Sequence, residues 1–169
     1  MKLGEKYVGF DRSAEVVRQV IDTYFDGDGM RYAKAYYEAL AELPSYGNFD
    51  IIGHFDLISK HSENVKFFDE NATEYQNAVL EAADALRGKI PLFEVNTGAI
   101  SRGLRTAPYP AINLLHLLKK KEAKLILSSD SHSAKTLFFA FDEARLLLKE
   151  VGFTHTYALL DGEFKKVQL

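Results

Sequence analysis

Cysteine is missing altogether. Its absence excludes disulfides, zinc–thiolate centres and a cysteine nucleophile, and it fits a reducing cytoplasm. No apolar run approaches the roughly 20 residues that cross a bilayer. The first residues, MKLGEKYVGFDRS, carry no apolar stretch of the secretory kind. A cytoplasmic protein without a membrane partner is therefore expected. Positive charge is not concentrated either. The net charge is -3, and the one basic run is Lys119-Lys120-Lys121, so no nucleic-acid partner is expected. Internal repeats, low-complexity segments and linkers are lacking too, which leaves residues 1–169 as one expected domain.

What is present is an ordinary globular balance. Hydrophobic residues make up 47% and charged residues 27% of the 169, enough apolar material for a packed core and too much for disorder. Short apolar runs alternate with amphipathic stretches. Asp50-Ile51-Ile52-Gly53-His54, Pro91 to Asn96, Lys124 to Ser129 and His155 to Leu160 read as strands, and Asp161-Gly162 is a turn signal. Ser13 is placed to cap a helix carrying Val16, Val17, Val20, Ile21 and Tyr24. Further helical patterns cover 31–43, 73–86, 110–121 and 136–151, stopping at Pro44, Gly88, the lysine run and Gly152. Strands alternating with helices predict an α/β fold of parallel βα units. The continuous apolar run Leu125-Ile126-Leu127 predicts a sheet covered on both faces.

Polar residues gather just after three of these strands: His54 and Asp56, Glu94 and Asn96, Asp130 and His132. Ligands in parallel α/β folds sit at the C-terminal strand ends. Asp130 and His132, two apart, can point the same way. A carboxylate with an imidazole suits Zn, Mn or Fe; a helix cap and a solvent-facing histidine would use the same two residues. His54 is either a third ligand or a hydrogen-bonded structural residue. Asp56 either orients His54 or caps a helix. Arg102, in the small-residue loop after Glu94 and Asn96, suits a phosphate that its guanidinium can grip with two bonds, or is a surface arginine on a turn. Arg105 and Lys60 are weaker candidates of the same kind. His61, His116 and His155 are expected to be bystanders.

Taken together, Asp50 to Asp56, Phe93 to Gly98, Ser101-Arg102-Gly103 with Pro108-Tyr109-Pro110, and Ser128 to His132 resemble the later motifs of PHP-type (polymerase and histidinol phosphatase) histidinol-phosphatases in order and spacing. The segment from Phe10 to Ser13 and the helices after it resemble the insertion these enzymes carry. The resemblance covers essentially the whole chain. It implies an incomplete distorted (β/α)7 barrel, with residues 1–45 as a helical insertion and 46–169 as barrel βα units. It implies a multinuclear site of divalent ions, of which His54, Asp130 and His132 would be metal ligands and catalytic residues. Arg102, Glu94 and Asn96 would bind a small phosphate ester. The implied reaction is hydrolysis of L-histidinol phosphate to L-histidinol and phosphate, in histidine biosynthesis. The family's early His-x-His pair and its glutamate have no counterpart. A truncated chain, weak or inactive alone, is therefore expected. A non-catalytic remnant, a self-associating or complementing fragment, and a PHP-type phosphoesterase on another ester are the alternatives.

Overall fold

The computed structural model describes residues 2, 3 and 6–169, which divide into two compact units. The first comprises residues up to Asn48 together with Ile58–Lys89, and the second comprises Phe49–Leu57 and Ile90–Leu169. The partition at 45/46 expected from sequence is a different line, because residues 58–89 pack with the first unit.

The first unit begins with two short antiparallel strands, β1 (Lys2–Leu3) and β2 (Lys6–Tyr7). Helix α1 (Ala14–Tyr24) starts where predicted, with the Ser13 hydroxyl accepting the Val16 N–H at 3.4 Å. Its apolar positions at helical spacing bury Val17, Val20 and Ile21. A tight turn through Asp26 and Gly27, both at positive φ, leads into α2 (Gly29–Ala41). Asp28 caps α2 by accepting the N–H groups of Met30 (2.9 Å) and Arg31 (3.0 Å), which satisfies two donors that a helix start leaves unpaired. Helix α2 packs on α3 (Thr73–Leu86). The seam is aromatic: the Tyr37 and Tyr75 rings meet edge to face, and their hydroxyls lie 2.8 Å apart. Alanines 78, 82 and 83 of α3 are buried, which suits a close helix approach.

The second unit is built on a five-stranded sheet of order β3-β4-β5-β6-β7. These are Ile51–Ile52, Leu92–Asn96, Lys124–Ser128, His155–Leu160 and Glu163–Gln168. The first four run parallel, as the alternation of strands and helices predicts, and β7 folds back antiparallel on β6. Three helices lie among these strands: α4 (Gly98–Ser101), α5 (Ile112–Lys120) and α6 (Phe141–Val151). The hairpin into β7 turns at Asp161-Gly162, both at positive φ, a pair that matches the twist of flanking strands. Strand β7 itself was not expected. Its sequence, EFKKVQ, is mostly exposed and lacks an apolar face.

Two further differences have identifiable physical causes. Strand β4 is buried on both faces apart from Glu94, but in β5 only Leu125 is buried, and Ile126, Leu127 and Ser128 are half-exposed. Ile126 and Leu127 point to opposite faces, so neither face of β5 is fully covered. The helix expected over 136–151 starts only at Phe141. Before it, the Ser129 hydroxyl donates to the Leu137 carbonyl and the Thr97 hydroxyl to the Phe139 carbonyl, each at 2.7 Å. Side chains that take up backbone carbonyls compete with helix formation, and Ala140 then enters the left-handed region at φ 56.

Candidate functional site

The parallel register sets the floor of the site. Asn96 pairs with Ser128, so the C-terminal ends of β4 and β5 lie side by side, while β3 ends at Ile52 opposite Phe93, three residues earlier, and all three parallel strands run toward the same edge. Two of those residues leave their strands through left-handed backbone: His54 at φ 61 and Asp130 at φ 45. Aspartate and histidine are among the few side chains that enter this region readily, and such departures cluster at functional sites. The Ser128 hydroxyl receives the Asp130 N–H at 3.2 Å and holds that turn.

Asp130, Arg102 and His132 come together. The Arg102 guanidinium donates from Nη2 to Asp130 Oδ2 and from Nη1 to the Asp130 carbonyl oxygen, each at 3.1 Å. On the other side of the carboxylate, His132 Nε2 lies 3.5 Å from Asp130 Oδ1. Arg102 reaches this position because Gly98 has no side chain. A Cβ there would stand 2.9 and 3.0 Å from the two guanidinium nitrogens and 2.7 Å from the Ser129 carbonyl oxygen. Gly98 is in turn fixed by Asn96, whose Oδ1 accepts the Gly98 N–H at 2.8 Å. The same amide donates from Nδ2 to Glu94 Oε2 at 3.0 Å. Asn96 is thus a buried latch that ends β4 and aims the Glu94 carboxylate. That carboxylate lies over Gly53, 3.8 Å from where a Cβ would be, and so beside the end of β3.

His54 follows Gly53, half-buried, and its ring has no hydrogen-bond partner among the described residues. It leaves the sheet from β3, two strands away from the β5 end that carries Asp130. Asp56 makes a contact far along the chain. It is fully buried, and its Oδ2 accepts the Ala111 N–H at 2.9 Å at the start of α5, 55 residues on. Arg105 is buried with its guanidinium over the Tyr109 ring, 4.7 Å from the centroid. Lys60 pairs with Asp11 at 2.5 Å in the first unit. His61 Nε2 lies 2.7 Å from the Arg12 carbonyl oxygen. His116 is exposed, and His155 packs edge-on to Tyr157 with Nδ1 3.1 Å from the Thr154 hydroxyl.

The fit of this set to a metal ion is partial. Two donors at about 2.1 Å from one ion and at the tetrahedral angle stand about 3.4 Å apart. The 3.5 Å between Asp130 Oδ1 and His132 Nε2 matches that spacing. Among the described residues, however, no three His, Asp or Glu side chains gather so as to hold one ion. What sequence reasoning did not single out is the support: Gly98 beneath Arg102, and the buried hydroxyls of Thr97 and Ser129 that tether residues 137–139. The one available signal was the Thr-Gly pair directly after an apolar strand.

The fold and the site define an α/β protein with a mostly parallel sheet and a polar cluster at its strand ends. No protein-family model matches the chain, and no curated protein matches it.

Proposed function

We propose that this chain forms part of the active site of a metal-dependent phosphatase of the PHP histidinol-phosphatase type, the class its motifs resemble. On this reading its sheet is part of an incomplete (β/α)7 barrel. The observation that carries the reading is the Arg102–Asp130–His132 cluster, with an anion-binding guanidinium and two donors at metal-ligand spacing on one strand end. Asp130 and His132 would hold a Zn, Mn or Fe ion from one side, and His54 would serve a neighbouring position. Such an ion would neutralise phosphate oxygens and acidify water. Arg102 spends two N–H groups on Asp130, and a guanidinium has five. The remaining three are donors for the phosphate oxygens of L-histidinol phosphate or a related small ester. Glu94, steadied by Asn96, would line the opposite wall.

Two donors at bonding separation are fewer than a catalytic metal site uses. Members of a preorganised charge cluster act strongly non-additively, so the chain by itself should turn over little substrate. The test is to purify it, supply Mn, Zn or Fe, and measure both metal uptake and phosphate release from histidinol phosphate. The expected result is weak metal binding, lost in Asp130→Ala and His132→Ala, with turnover far below roughly 1 per second. Turnover at or above that rate, abolished by Asp130→Ala, would overturn the weakness and retain the chemistry. Metal uptake that is undetectable, or indifferent to both substitutions, would remove the phosphatase reading and leave a non-catalytic or complementing fragment.

A further inference from the structure

A cavity of about 350 Å³ lies wholly within the first unit, between β2, the C-terminal half of α2 and the turn that follows it. Its size is at the small end for a specific small-molecule site. Four aromatic rings line it: Tyr7, Phe10, Tyr36 and Tyr46. Phe10 and Tyr36 meet edge to face at 5.0 Å, which gives the floor a fixed shape. Tyr36 is buried, but Tyr7 is 82% and Tyr46 70% exposed, two large rings at the rim with faces open to solvent. Among the described residues Glu42 is the one charged side chain in the lining, and the Tyr46 hydroxyl lies 3.5 Å from its carboxylate, on the donor side of a hydrogen bond.

The described lining of this pocket carries charge and partial charge of one sign. Ring faces are negative through their quadrupoles. Glu42 is a carboxylate. Helix α2 ends here, and a helix C-terminus carries a negative partial charge. Basic residues commonly offset that end, but the last turn of α2 has none, and among the described residues none lines the cavity. An anion is therefore disfavoured. A bare metal ion would find a single carboxylate and would keep its water. A neutral apolar guest would leave the carboxylate and helix end unanswered. We infer that this pocket binds an organic ammonium cation, such as a quaternary or alkylated ammonium group, held by the rings through cation–π attraction and by Glu42 through charge.

The experiment is calorimetric titration of the full chain with choline chloride at fixed ionic strength, beside 3,3-dimethylbutanol, the neutral isostere with carbon in place of nitrogen. Choline is expected to saturate one site and to bind about tenfold or more tighter than the isostere. Glu42→Gln and Tyr46→Ala, both at exposed positions, are each expected to weaken choline binding by about three- to tenfold, with circular dichroism confirming an unchanged fold. Equal binding of choline and its isostere would overturn the inference. So would an absence of saturable choline binding, or wild-type affinity in both variants.

Discussion

A methyl group at position 98 would stand 2.7 Å from the Ser129 carbonyl oxygen and within 3.0 Å of both Arg102 guanidinium nitrogens. The arginine can swing away, but the oxygen belongs to the backbone directly after β5. Gly98→Ala is therefore expected to cost about 1–3 kcal/mol and to separate Arg102 from Asp130. Urea unfolding checks it, and an unchanged midpoint would show that the loop relaxes freely. Tyr32 offers the opposite case. Its side chain is buried, and its hydroxyl has no hydrogen-bond partner among the described residues. Burial pushes its pKa well above the ordinary tyrosine value. An unfolded tyrosine loses its proton near pH 10, while folded Tyr32 keeps it. In that range the native state binds more protons than the unfolded one, so stability falls as pH rises above about 10. Tyr32→Phe is expected to remove this alkaline loss. At neutral pH it should be neutral or stabilising by up to about 1 kcal/mol, since no partner is orphaned. Urea titrations at pH 7 and about pH 11 decide it, and a large neutral-pH loss would reveal a hydrogen bond to that hydroxyl.

At the scale of elements, caps and turn residues were readable where they act locally. Ser13 starts α1, Gly152 ends α6 in the left-handed region, and Asp161-Gly162 turns a hairpin. Each works through its own backbone neighbours, so a short window contains the cause. The start of α6 was not readable, because the hydroxyls that delay it come from Thr97 and Ser129, the residues directly after β4 and β5. The start of α2 combines both kinds of control. Asp28 caps it locally, but Gly29 also lies so close to the Phe67 carbonyl oxygen that any Cβ would overlap it. Gly29→Ala should raise local helix propensity and nevertheless cost the protein about 2 kcal/mol or more. Thermal unfolding tests this; a stabilised variant would mean that the 67–68 segment moves aside without loss.

At the scale of the whole molecule, the two units are interleaved along the chain, since residues 49–57 belong to the second and 58–89 return to the first. Helix α2 buries Tyr32, Ala33, Tyr36 and Tyr37, and it packs on α3 of the returning segment. A fragment of residues 1–48 therefore lacks the surface that covers α2, and short helices are marginal without such packing. Circular dichroism of that fragment is expected to show little helix and no cooperative melt; a sharp melt would show that the insertion expected over 1–45 folds independently. The amino-acid sequence alone determined the α/β class, the cores of β4, β5 and β6, and which strand ends carry polar residues. Those follow from local apolar period, caps and turns, which short-range sterics and burial enforce. Only the tertiary structure decided who meets whom. Arg102 reaches Asp130 across 28 positions and Asp56 reaches Ala111 across 55. Those meetings depend on the order β3-β4-β5 and on the register Asn96↔Ser128. Order and register are fixed by hydrogen bonds and packing between strands, which no local stretch of sequence contains.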